Sequence, residues 1–160
     1  MGVEIERKFL VKKELWLALN KPEGKHYRQG YLINNEDRVV RVRIAGEQGF
    51  ITIKGALEGI SKLEYEYEIP KSDAEEMLDK FKPEGTEKIR YRIPEDGGLV
   101  WEVDEFLGEN QGLIVAEIEL SSEEQVFLHP EWLAEEVTYD ERYSNANLAL
   151  RPYSTLYIKE

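Results

Sequence analysis

Apolar and polar residues alternate with a period of two along most of this chain. From Val3 to Val11, Val3, Ile5, Phe9 and Val11 fall on one side and Glu4, Glu6, Lys8 and Leu10 on the other, which is the pattern of a β-strand. The same alternation recurs over residues 26–33, 38–44, 50–54, 62–69, 87–93, 99–106 and 113–120. Eight strands are therefore predicted. Turn-forming residues separate them, at Asn34-Asn35-Glu36-Asp37 and over 46–49, 55–59, 94–98 and 108–112. Connections this short join antiparallel neighbours.

Helices are the minority. The clearest is predicted to start at Ser72, whose hydroxyl and the Glu75 carboxylate would form a Ser-x-x-Glu capping box, followed by an apolar stripe of Ala74, Met77, Leu78 and Phe81. Shorter helical pieces are predicted over 13–19, 123–128 and 131–135, with Pro130 separating the last two. A further turn or two is predicted over 144–150. No linker or low-complexity block divides the chain, so residues 1–160 are expected to form one unit.

Charge changes the picture by exclusion. The 33 Asp and Glu against 21 Lys and Arg give a net charge of −12, so neither nucleic acid nor an anionic membrane is an expected partner. The absence of cysteine removes disulfide frameworks, thiolate metal sites and a cysteine nucleophile. Glu4, Glu6, Arg7 and Lys8 stand where a secretory signal needs an apolar run, and a cytoplasmic location is the default expectation.

The strand faces carry the candidate chemistry. Acidic pairs occur at Glu4-x-Glu6, Glu64-x-Glu66, Glu102-x-Asp104 and Glu117-x-Glu119, and basic rows at Arg41-x-Arg43, Lys54 and Lys88-x-Arg90-x-Arg92, with Lys8 following the first acidic pair. Spacing alone decides nothing, because about seven acidic-x-acidic pairs arise by chance in this composition. A half-solvated antiparallel sheet shows the same alternation. A barrel of eight strands would instead turn the charged rows inward around one small ligand. Charges enclosed in this way must be paired with each other, a metal or a ligand. Metal-bound polyphosphate satisfies both halves, since carboxylates suit Mg²⁺ or Mn²⁺ and guanidinium groups grip phosphate oxygens.

The segment Glu4-Ile5-Glu6-Arg7-Lys8-Phe9 resembles the ExExK signature of the CYTH domain, the triphosphate tunnel metalloenzymes. The likeness continues in order through Arg28-Gln29-Gly30-Tyr31-Leu32, Arg41-Val42-Arg43, Thr52-Ile53-Lys54, Glu64-Tyr65-Glu66, Glu87-Lys88-Ile89-Arg90-Tyr91, Trp101-Glu102-Val103-Asp104, Ala116-Glu117-Ile118-Glu119 and Val137-Thr138-Tyr139-Asp140. This resemblance implies an α+β protein dominated by β, a closed eight-stranded antiparallel barrel or tunnel with a few flanking helices. It implies a cytoplasmic hydrolase that splits inorganic tripolyphosphate into pyrophosphate and phosphate with Mg²⁺ or Mn²⁺. By position in the motif, Lys8 and Tyr31 would orient the attacking water. Lys8, Arg41, Arg43, Lys54, Lys88 and Arg90 would hold the triphosphate, with Arg92 extending that row. Glu4, Glu6, Glu64, Glu66, Glu102, Asp104, Glu117 and Glu119 would arrange the metal. The expected partner is a small triphosphate, and a homodimer is left open.

The same tunnel in other family members serves thiamine triphosphatases and class IV adenylate cyclases, and a noncatalytic polyphosphate or nucleotide binder is a further alternative. A cation-buffering protein would leave the arginines without a role. His26 and His129 are too far apart for an HExxH zinc site, and Trp16, Trp101 and Trp132 read as packing residues. In the stretch over 139–147, Asp140, Arg142, Tyr143 and Asn145 read as structural, with plugging of one tunnel mouth as the alternative. No GxxxxGK, GxGxxG or GxSxG motif occurs.

Overall fold

The predicted strands form at all eight places: β1 (Val3–Val11), β2 (Lys25–Asn34), β3 (Arg38–Ala45), β4 (Gln48–Ala56), β5 (Ser61–Ile69), β6 (Gly85–Pro94), β7 (Val100–Phe106) and β8 (Ile114–Glu119). A computed structural model describes residues 3–57 and 59–154. Residue 58, in the turn predicted over 55–59, and both ends of the 1–160 unit lie outside the described residues. Neighbours pair antiparallel in the order β5-β4-β3-β2-β6-β7-β8-β1, and β1 returns to β5 through Val3↔Leu63, Glu4↔Lys62 and Ile5↔Ser61. The sheet is thereby closed into an eight-stranded barrel. Three helices flank it: α1 (Lys13–Ala18), α2 (Lys71–Phe81) and α3 (Asn145–Leu150).

Three helical expectations are corrected. Residues 131–135 contribute to an extra strand, β9 (Leu133–Glu136), instead of a helix. Because β5 reaches only the first residues of β1, the far half of that edge needs a partner, and β9 supplies it at Phe9↔Glu136 and Val11↔Leu133. Residues 123–128 form no regular element, and Phe127 is pinned edge-on against Phe9 at 6.0 Å and Trp101 at 5.7 Å. The capping box at Ser72 does not form, because β5 runs on to Ile69 and the chain reverses at Pro70. The Pro70 carbonyl accepts from Asp73 and Ala74, which puts Ser72 inside the first turn of α2. Phe81, expected on the apolar stripe, is exposed.

The apolar core lies outside the barrel. Phe9, Trp101, Val103, Ala116 and Ile118 point outward from β1, β7 and β8 and pack with Trp16 of α1, Trp132 and Leu133. Their rings meet edge to face, with Trp16–Trp132 at 5.3 Å and Trp101–Trp132 at 5.7 Å. Val42 and Ile44 of β3 pack under Ala74 and Leu78 of α2. A third cluster fills one end of the barrel itself: Phe106 and Val115, with partly buried Leu10, sit on the inward rows and meet Leu148 of α3. The inward face elsewhere is left to polar side chains.

One seam depends on a missing side chain. Gly85 pairs with Gly30 across β6 and β2, and a Cβ there would lie 1.9 Å from the Gln29 carbonyl oxygen. Backbone cannot yield as a side-chain tip does, so Gly85→Ala is expected to lower stability by about 3 kcal/mol. Urea unfolding checks this, and an unchanged midpoint would contradict it.

Candidate active site

Inward-facing residues of successive strands form stacked rows. Lys8 lies opposite Glu117 and Glu6 opposite Glu119 across β1 and β8, while Arg41 lies between Tyr31 and Thr52 across β2, β3 and β4. Lys54 faces Glu64, and Arg90 faces Asp104. The rows enclose a cavity of about 430 Å³. Glu4, Glu6, Lys8, Tyr31, Arg41, Arg43 and Lys54 line it from β1 to β4, and Glu64, Glu66, Arg90, Arg92, Glu102, Glu117 and Glu119 from β5 to β8. The turn over 35–38 reaches its rim, and Ser144 and Asn145 at the start of α3 also line it.

Acids hold most of the lumen cations, and Arg43 instead donates to the Gln29 amide oxygen at 2.7 Å. Lys54 Nζ donates to Glu4 at 3.1 Å and lies 3.5 Å from Glu64. Lys8 Nζ lies 3.6 Å from Glu117 and donates to the Tyr143 carbonyl at 3.2 Å. Arg90 forks onto Asp104 at 2.8 and 2.9 Å and approaches Glu117 at 3.5 Å, while Arg92 pairs with Glu102. Arg41 donates to Thr52 at 3.1 Å and meets Glu66 at 3.4 Å. Its Nε is buried with no partner among the described residues, a donor aligned with no acceptor of the protein. Tyr27 separates two guanidinium groups, with Arg43 4.8 Å and Arg90 5.0 Å from its ring centre.

The acidic side carries charge that the protein does not fully compensate. Burial, with Glu117 and Glu4 nearby, pushes the Glu6 carboxyl up to about 8. Burial and the carboxylates of Glu4, Glu64 and Glu102 likewise raise Glu119. Burial also opposes ionisation of Glu117, but Lys8 and Arg90 outweigh it and hold this carboxyl well below its ordinary range. Among the described residues no three carboxylates converge as a preformed metal cage. The fit to a cation rests on hard oxygen donors and on the mutual repulsion recorded at Glu6 and Glu119.

Thirteen of the fifteen residues expected in the site line this cavity, and two do not. Lys88 and Asp104 sit beneath its wall, wholly buried, paired at 2.8 Å. Burial and the nearby Arg90 and Arg43 push the Lys88 ammonium down to about 7, against the attraction of Asp104. Lys8 and Tyr31 share the cavity without a direct hydrogen bond: the Tyr31 hydroxyl accepts from Gln29 at 3.1 Å. Gln29 falls within the motif around Tyr31 but is given no role, and Tyr27 is not singled out, although the 27-29-31 row of β2 puts both on the Tyr31 face. Asn145 belongs to the 139–147 stretch read as structural, yet it lines the cavity and reaches Gln29 across 116 residues of chain.

The family model described as the CYTH domain matches residues 2–153. The chain belongs to the CYTH domain family. This CYTH domain is 51% identical over 155 residues to an inorganic triphosphatase of Acetivibrio thermocellus, covering 96% of the chain and 97% of that relative. An inorganic triphosphatase of Nitrosomonas europaea is 38% identical, over 92% of this CYTH chain and 97% of its own. A crystal structure of an inorganic triphosphatase superposes with a TM-score of 0.64 at 36% identity, covering 94% of the chain and 96% of its own. Among the described residues no helix is long and apolar enough to cross a membrane.

Proposed function

We propose that this protein hydrolyses inorganic tripolyphosphate to pyrophosphate and phosphate inside the barrel, in a reaction that depends on Mg²⁺ or Mn²⁺. The observation that carries the reading is the lumen itself: a cluster of guanidinium and ammonium groups and a cluster of crowded carboxylates face each other across a cavity that fits one small polyanion. The inorganic triphosphatases similar along nearly the whole chain support the same reaction.

Arg41, Arg43, Lys54 and Arg90 bind the phosphate chain, and the unpartnered Nε of Arg41 is a donor ready for a phosphoryl oxygen. Arg90 is aimed by its fork onto Asp104. Asp104, with its oxygens taken by Arg90 and Lys88, acts by orienting that arginine. Glu4, Glu6, Glu117 and Glu119, with Glu64 and Glu102 beside them, hold the divalent cation. When bound, the cation neutralises phosphate charge and lowers the pKa of water in its coordination shell. Lys8 and Tyr31 orient the attacking water, the tyrosine through its hydroxyl. The protein supplies alignment and charge neutralisation, the main needs of phosphoryl transfer.

Phosphate release from tripolyphosphate with Mg²⁺ or Mn²⁺, abolished by EDTA and restored by metal, is the expected result. Cyclic AMP from ATP, or tripolyphosphate left intact under both metals, would refute the reading.

A further inference from the structure

Gln29 is one of the most buried polar residues of the barrel, at 2% exposure, and its amide orientation is set by chemistry. Arg43 Nε carries a hydrogen and can only donate, and it lies 2.7 Å from Gln29 Oε1, so the carbonyl end faces Arg43. The NH₂ end is then directed at the Tyr31 oxygen, 3.1 Å away, and at Asn145 Oδ1, 3.4 Å away. Asn145 is fixed in turn, because the Gln29 NH₂ can only donate and faces that Oδ1, which also accepts from Lys88 Nζ at 2.9 Å. Flipping either amide would set donor against donor. The Tyr31 oxygen therefore receives a hydrogen bond from Gln29, and its own O–H is left to point elsewhere, into the cavity that Tyr31 lines.

We infer that Gln29 is a positioning residue of the hydrolytic reaction, orienting the Tyr31 hydroxyl so that its proton faces the lumen, with Asn145 of α3 holding Gln29 in turn. The inference rests on the reading of Tyr31 as a group that touches the attacking water. Gln29 also steadies Arg43, so its two tasks separate kinetically: the bond to Tyr31 acts on kcat and the bond to Arg43 on KM.

The test is a double-mutant cycle with tripolyphosphate and Mn²⁺, comparing the wild type, Gln29→Leu, Tyr31→Phe and the double variant. Gln29→Leu is expected to lower kcat about tenfold in the wild type and by less than about twofold in the Tyr31→Phe background. The rise in KM should persist in both backgrounds, because it runs through Arg43. A full kcat loss in both backgrounds overturns the inference, since a structural role adds to any other damage. A Tyr31→Phe variant with wild-type kcat removes the underlying reading of Tyr31 instead, and the inference falls with it. Gln29→Glu covers failure of the leucine variant to fold: it keeps the acceptor for Arg43 but cannot donate to Tyr31, so it should lose kcat while KM stays close to the wild type. Wild-type kcat in Gln29→Glu would equally overturn the proposal.

Discussion

Tyr31→Phe is expected to lower kcat for tripolyphosphate about 100-fold, the scale of misplacing the reacting water, while KM changes little. The hydroxyl is the only group removed. The ring keeps its place in the barrel wall, and the Gln29 NH₂ keeps its other partner on Asn145. Only a weakened buried hydrogen bond is lost from the fold, worth about 1 kcal/mol. Arg41, Arg43, Lys54 and Arg90 remain untouched, so binding of the phosphate chain survives. Steady-state kinetics beside a thermal unfolding curve separate the two effects. A kcat within twofold of the wild type would remove Tyr31 from the reaction.

Asp104→Asn should be the most damaging substitution of a charged side chain for stability. Asp104 is 1% exposed and is the common counterion of Arg90 and of the fully buried Lys88. Neutralising it takes from Lys88 its close ion pair and from Arg90 the nearest of its acids, with Glu102 and Glu117 left to the arginine, and breaking a buried pair costs about 3–5 kcal/mol. The pH dependence has a definite sign. In the wild type, folded Lys88 releases its proton near 7, below its ordinary value of 10.5. Removing the Asp104 attraction lowers the folded value further, so over the interval up to 10.5 the unfolded chain binds more protons than the folded one, and stability rises with pH. Chemical denaturation at pH 6 and pH 9 checks both parts: the variant should recover part of its deficit at the higher pH. Equal deficits at the two values would show that Lys88 releases its proton over the same range with or without Asp104.

The strands were legible because each one satisfies a local rule, an outward apolar row against an inward polar one, that survives without knowledge of its neighbours. β9 was not, because Leu-Ala-Glu-Glu carries no strand pattern of its own and becomes extended only to complete the β1 edge. Within β2 the alternation breaks: a bulge after Tyr31 lets Ile33 pair with Val40 on the outer side, while Tyr31 stays inside opposite Arg41. A strict period of two would have carried Ile33 into the lumen. The site residues were legible as rows and not as depths. Lys88 and Asp104 follow the same alternation as Arg90 and Glu102, yet sit under the cavity wall, since periodicity records a face and says nothing of position along the barrel axis.

Leu10, Phe106, Val115 and Leu148 stop one end of the cylinder with hydrocarbon, while the turn over 35–38 lines the charged cavity. A polyanion gains nothing by desolvating against such a stopper, so a phosphate chain is expected to settle among the cations and short of it.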